Sequence, residues 1–182
     1  MLNSQQILDE GLLKLEHTQG KPAQVGFDIT LKQVNKIGSR IGGNTYRDGK
    51  IGKVLKDKTE LTTYTPYPLQ TIDGVVGWLL HEGTYDITFN EGCKIPDNRV
   101  AFIKQRSSLY RNGAIINSPV FDPGFETEFM GTVMIVTETI FIEENARVAQ
   151  FIVFSCKDVD KENIYGGANH DSQFQNDNQR LV

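Results

Sequence analysis

The sequence predicts an all-β fold, an antiparallel β-barrel or jelly roll with one short helix at its N-terminus. Three observations carry this expectation. Short runs rich in β-branched and aromatic residues recur along the chain, Gly, Pro, Asn or Asp signals separate them, and neither a helical period nor a βαβ alternation competes. At 182 residues the chain is long enough to bury a core and short enough for one domain. That domain is expected over residues 1–164, with residues 165–182 as an arm.

The elements follow in chain order. Asn3 and Gln6 have capping-box spacing ahead of Ile7 and Leu8, and Gly11 stops the turn, which predicts a helix over residues 4–10. Strands are expected at "VGFDITL", "GVVGWLL", "YDITF", "VAFIKQ", "GAIINS", "TVMIVTETIFI" and "ARVAQFIVF". Residues 36–60, rich in Gly and Lys, read as a surface loop. Within them "GGNTYRDGK" imitates a phosphate loop but fails the pattern, because five residues separate Gly43 from Gly49 and Ile51 follows Lys50. The tail "YGGANHDSQFQNDNQRLV" reads either as a frayed end or as an arm that orders over a ligand, with Phe174 as a stacking plate and Gly166 and Gly167 as its hinge.

Composition excludes several classes of function. A formal net charge of −4 and a pI near 5.4 argue against nucleic-acid or anionic-membrane partners, since phosphate backbones demand a basic surface. Any anion must therefore meet a local site. The 2 cysteines, Cys93 and Cys156, lack metal-ligand spacing and read as free thiols suited to a reducing cytoplasm. The N-terminal residues have no basic leader, and no apolar run approaches the ~20 residues of a membrane span.

Three motifs bear chemistry. "RSSLYRNG" gathers Arg106, Ser107, Ser108 and Arg111, whose guanidinium forks and hydroxyls suit a polyphosphate, although the same residues also cap helices and form salt bridges. In "VFDPGFETE", Asp122 precedes the tight turn set by Pro123 and Gly124, where a carboxylate can orient or deprotonate a water. In "ARVAQFIVF", Arg147 and Gln150 interrupt an apolar strand and need partners if buried.

These motifs, in this order and with "VGFDITL" upstream, resemble those of the dUTPase and dCTP deaminase superfamily. "MLNSQQIL" and "HEGTYDITFNEGCKIPDN" extend the resemblance to about two thirds of the chain; residues 36–74 lie outside it. The resemblance implies a distorted antiparallel β-barrel or jelly roll of the β-clip type, a homotrimer with shared active sites, and a pyrimidine deoxynucleoside triphosphate as substrate. It assigns the triphosphate to Arg106, Ser107, Ser108 and Arg111 with support from Gln150. Asp28 would stabilise the site through arginine or magnesium-bound water, with Arg147 beside it. Phe125 would pack on deoxyribose, Asn117 would face the base, Asp122 would act on the water, and Tyr165, Phe174 and Gln175 would belong to a closing tail. Mg2+ would be held mainly by the substrate's phosphates.

The superfamily's two chemistries need different residues. Deamination requires a general acid/base, which the deaminases this chain resembles supply as a glutamate ten residues beyond the turn aspartate, and that position is Thr132 here. Hydrolysis needs only an aspartate, a positioned water and charge neutralisation. The expectation is dUTP hydrolysis to dUMP and pyrophosphate, with dCTP deamination or hydrolysis of another pyrimidine deoxynucleoside triphosphate, and a non-enzymatic nucleotide-binding or regulatory module, as the alternatives.

Overall fold

A computed structural model describes residues 1–16, 20–37, 64–157, 159, 160, 162 and 164, with the backbone of 46, 47, 50 and 51. The order is α1 (Ser4–Asp9), β1 (Leu13–Lys14), β2 (Lys21–Pro22), β3 (Phe27–Ile37), β4 (Tyr46–Arg47), β5 (Lys50–Ile51), β6 (Tyr64–Pro66), β7 (Gln70–Ile72) and β8 (Val75–Leu80). Then come β9 (Gly83–Phe89), β10 (Gly92–Lys94), β11 (Arg99–Gln105), α2 (Ser107–Arg111), β12 (Ala114–Asn117), β13 (Glu126–Thr127), β14 (Gly131–Val136), β15 (Ile140–Glu143) and β16 (Arg147–Ser155).

Every strand pairing is antiparallel. The main sheet runs β11-β16-β3-β9-β14-β12, with β2 and β6 also on β3, and curls into a nearly closed barrel. Two small sheets, β1-β10-β13 and β15-β8-β7, flank it. Strict alternation divides the strands: Phe27, Ile29 and Leu31 of β3, Ile87 and Phe89 of β9, Ala101 and Ile103 of β11, and Phe151 and Val153 of β16 all point into one core. Asp28 and Gln150 take the opposite face, and that face carries the site.

The capping box at α1 forms as its spacing predicts: the Gln6 N–H donates to Asn3 Oδ1 at 2.9 Å, and the Asn3 N–H donates to Gln6 Oε1 at 3.0 Å. Gly26 has a local reason to be glycine. Its φ is +72°, and a Cβ there would lie 2.3 Å from the Phe151 carbonyl oxygen, so β3 and β16 approach this closely only without a side chain.

Two features differ from the sequence-based expectation. "TVMIVTETIFI" is two strands: Thr137 leaves the main sheet, its N–H and hydroxyl both donating to the Gly113 carbonyl at 2.8 and 2.9 Å, before β15 joins β8. A second helix, α2, begins at the Arg-Ser-Ser motif, anchored by buried Leu109 and by the Arg106 N–H donating to the Val148 carbonyl at 2.9 Å. Most of the loop expected at 36–60 lies outside the described residues, although β3 continues to Ile37 and β4 pairs with β5. Tyr165, Phe174 and Gln175 also lie outside them, with the rest of the 165–182 arm.

Candidate active site

The site begins with one buried carboxylate. Asp28 is 5% exposed and stands in β3 directly opposite Gln150 of β16. Three side chains converge on it: Gln150 Nε2 donates to Oδ1 at 3.1 Å, Arg147 Nη1 donates to Oδ2 at 3.3 Å, and Arg106 Nε lies 3.6 Å from the same Oδ2. Arg106 Nη1 also donates to the Arg147 carbonyl at 3.3 Å, which ties the two arginines together. A bulge in β16 between Arg147 and Ala149 is part of this arrangement, since it brings Arg147 opposite Thr30 while Gln150 keeps its place opposite Asp28.

The consequence is electrostatic. Two guanidinium groups share one carboxylate, so the cluster keeps a surplus positive charge in a surface that is otherwise acidic overall. Strand register adds to it: Lys104, Gln150, Asp28 and Lys21 stand in one row across β11, β16, β3 and β2. Beside this row opens a pocket of about 540 Å³ lined by Gln105, Arg106, Ser107, Tyr110 and Gln150. It is large enough for a nucleotide's phosphates.

Ser108 and Arg111 are exposed on the same short helix but outside this pocket wall. Sequence reasoning missed Gln105, Tyr110, Lys104 and Lys21. Tyr110 had a signal, since it stands three residues from Ser107 and so shares a helical face. The lysines had none, because only pairing register places them in the row.

Asp122 sits elsewhere. The Phe125 N–H donates to the Asp122 carbonyl at 3.1 Å across a turn with Gly124 at φ +85°, as the Pro-Gly pair predicts. The Gly124 N–H donates to the Ile95 carbonyl, and the Ile95 N–H donates to the Phe125 carbonyl, fastening the turn to the barrel. Phe125 is half-buried, 5.5 Å from the Phe121 ring. The Asp122 carboxylate itself is exposed.

Phe121 bridges to Ala101, five positions before Arg106 along an extended strand, so about 17 Å of strand runs between the bridge beside Asp122 and Arg106. Arg106, Ser107, Arg147, Gln150 and Asp28 come together; Asp122 and Phe125 share one turn, and Asn117 ends β12 opposite Val133.

Beside Asn117, Thr132 is 5% exposed, and its hydroxyl donates to the Asn117 carbonyl at 2.7 Å. The buried carboxylates nearby are engaged: Asp86, opposite Val133, accepts from Asn35 Nδ2 at 3.0 Å, and Glu91, whose carbonyl accepts from the Met130 N–H, accepts from the Thr30 N–H and hydroxyl at 2.9 Å. Glu126 bridges to Lys14 at 2.9 Å and to Lys94 at 3.6 Å, and Glu128 pairs with Lys14 as well. These contacts raise the Lys14 pKa, chiefly through Glu128, and lower that of Glu126, chiefly through the Lys14 hydrogen bond. Glu138 lies beside Gly113, at the far end of β12 from Asn117 and about 13 Å from it along the strand. Beneath the ion pairs burial pushes the Cys93 thiol far above its usual range, which makes it an inert core residue. Among the described residues no cluster of three or more His, Cys, Asp or Glu side chains is placed to hold a metal ion, and no helix is long and apolar enough to cross a membrane.

The dCTP deaminase-like family profile matches residues 2–156. The chain belongs to this family. As a dCTP deaminase-like protein it is 31% identical over 155 residues to a probable deoxyuridine 5'-triphosphate nucleotidohydrolase of Methanosarcina mazei, covering 84% of this chain and 80% of the relative. A protein of the same description from Archaeoglobus fulgidus is 30% identical over 173 residues, covering 91% and 93%. Among solved structures, the 2'-deoxycytidine 5'-triphosphate deaminase from Agrobacterium tumefaciens superposes with a TM-score of 0.58 at 14% identity. That match covers 88% of this chain and 50% of the deaminase, so this dCTP deaminase-like chain spans half its length; at such identity the likeness concerns the fold alone.

Proposed function

We propose that this protein is a dUTP diphosphatase, hydrolysing dUTP to dUMP and pyrophosphate. The observation that carries the choice over deamination is Thr132, buried and bonded to the Asn117 carbonyl where the deaminases would place an acid/base glutamate, while Glu126 and Glu128 pair with lysine, Glu91 accepts from Thr30, and Glu138 lies about 13 Å from Asn117 along β12. The relatives described as nucleotidohydrolases support the same reading.

In this mechanism Arg106, Ser107 and Gln150 hold the triphosphate in the pocket, and Ser108 and Arg111 reach it from the outer face of α2. Asp28 keeps Arg106 and Arg147 in place, so their surplus charge is preorganised before the anion arrives. Asp122 orients a water and accepts its proton as the oxygen attacks the α-phosphorus; the bond to the bridging oxygen breaks and pyrophosphate leaves, its charge met by the arginines. Phe125 packs on the deoxyribose and the Asn117 edge reads the uracil.

A magnesium ion would arrive with the substrate's phosphates and would supply charge neutralisation, with Arg106 and Arg147 meeting the remaining negative charge. The donor set fits that arrangement, because the Asp28 carboxylate is already engaged by two arginines and an amide whereas Asp122 is exposed. The placement of the Asp122 turn at the Ala101 end of β11, about 17 Å of strand from Arg106, supports a homotrimer in which the turn of one copy completes the pocket of another. Two free cysteines agree with a cytoplasmic location.

The test is incubation of the protein with Mg2+ and dUTP, dCTP, dTTP or UTP separately, assaying pyrophosphate and ammonia in parallel. Pyrophosphate from dUTP without ammonia from dCTP is the expected result. Ammonia from dCTP would overturn the role given to Thr132, and silence from every nucleotide would favour a binding module.

A further inference from the structure

The pocket wall carries a side chain that the proposed mechanism does not use. Tyr110 lines the pocket from α2 and is 59% exposed, so it is open to whatever enters. The local chain explains its position. Buried Leu109 fixes the helix to the core, and the Tyr110 N–H donates to the Arg106 carbonyl at 3.1 Å. A helical aromatic side chain leans back over the preceding turn, and that turn holds Arg106 and Ser107, which line the same pocket. The Tyr110 backbone is committed, since its carbonyl accepts from the Gly113 N–H at 3.1 Å. Its phenol is not: among the described residues the hydroxyl has no hydrogen-bond partner.

Resting on the dUTP reading of the site, we infer that Tyr110 is a further substrate-binding residue, whose hydroxyl donates a hydrogen bond to the β- or γ-phosphate of the nucleotide. The chemistry of the wall restricts the contact. Arg106, Ser107 and Gln150 all present donors there, and phosphate oxygens are acceptors. The face of an aromatic ring carries negative charge density and repels a phosphate, so Tyr110 meets it with its O–H rather than with its ring. A hydroxyl bonded to an ionised oxygen makes a shorter and stronger bond than a neutral pair does. The neighbour on the wall assigns the phosphate. Arg106 meets the charge of the departing pyrophosphate, and Tyr110 beside it faces the same oxygens.

The experiment measures calorimetric binding of dUTP with the α,β-bridging oxygen replaced by NH, and of dUMP, to the full chain, to Tyr110→Phe and to Tyr110→Ala, all with Mg2+. Melting temperature and sedimentation of each protein are taken without ligand. Tyr110→Phe deletes one oxygen from an exposed side chain, so the free protein is expected to melt and sediment unchanged. Its affinity for the imido analogue is expected to fall about tenfold, while its affinity for dUMP stays within about twofold. Tyr110→Ala is expected to lose at least as much affinity for the analogue.

Unchanged affinity of Tyr110→Phe for the imido analogue overturns the inference. A loss with Tyr110→Ala that Tyr110→Phe does not share also overturns it, because the ring and not the hydroxyl would then be acting. Equal losses for the analogue and for dUMP overturn the assignment to the β- or γ-phosphate. Altered sedimentation with unchanged affinity would make Tyr110 a contact between copies and overturn its role toward substrate. If Tyr110→Phe does not fold, Tyr110→Ala compared with Tyr110→Gln carries the same test: the amide restores a donor, so Tyr110→Gln is expected to bind the analogue more tightly, and equal affinities overturn the inference. Failure of the unsubstituted protein to bind the analogue would sink the dUTP reading, and the inference with it.

Discussion

Asp28 and Asp122 are the same side chain in opposite circumstances. Asp28 is buried and surrounded by Arg106, Arg147 and Gln150, so its charge is spent on holding the fold's own cations. Asp122 is exposed on a turn whose hydrogen bonds are all made by backbone, which leaves its carboxylate uncommitted. The contrast teaches that a carboxylate is available for chemistry when the backbone has already satisfied the turn it stands in. A carboxylate that balances arginines instead sets the charge of the pocket.

The largest expected effect breaks the comparison on the Asp122 side. Asp122→Asn should lower kcat for dUTP by roughly a thousandfold, within the usual range for a lost acid/base group, while the melting temperature stays within about 1 °C. Steady-state pyrophosphate release and a thermal melt check both halves. A large loss of stability would mean that Asp122, like Asp28, is structural.

Asp28→Ala should do the reverse, destabilising by about 2 kcal/mol. This is less than a fully buried pair would lose, because the Arg106 and Arg147 side chains are 34% and 39% exposed and water screens them. Urea unfolding measures it, and a change under about 0.5 kcal/mol would dismiss the preorganisation argument.

Arg111→Ala sharpens the comparison among cations, since Arg111 is exposed and has no ion pair among the described residues. Affinity for the imido analogue should fall roughly tenfold with no change in melting temperature. Equal melting curves with and without nucleotide for both proteins would count against phosphate contact. Phe125→Ala should narrow the preference for dUTP over UTP by about tenfold, read from the ratio of kcat/KM values. An unchanged ratio would place the ribose check elsewhere.

The smallest effect belongs to Lys14 and Glu126. Because the Lys14 hydrogen bond lowers the folded-state pKa of Glu126, its contribution is present above the ordinary value of 4.5 and is lost as pH falls through the depressed folded value. Lys14→Met should remove that acid-side slope, a few tenths of a kcal/mol at most, since Glu126 is 45% exposed. Unfolding followed between pH 3 and 6 tests it; identical slopes for the two proteins would refute the linkage.

Much of this contrast was legible before any coordinates. Alternation in "VGFDITL" puts Asp28 opposite in facing to Phe27 and Ile29, the Pro-Gly pair predicts the Asp122 turn, and the position of Thr132 separates the two chemistries. What the sequence alone determined was therefore local: strand periodicity, turn chemistry, the capping box, and motifs whose residue types suit phosphate. Tertiary structure decided which distant residues meet. The division of "TVMIVTETIFI" between two sheets, the one-turn helix at Arg-Ser-Ser and the row from Lys104 to Lys21 all depend on pairings between strands far apart in the chain. The physical reason is that hydrophobic alternation specifies which face a side chain takes, whereas strand register, which decides its neighbours, is settled only when the whole barrel packs.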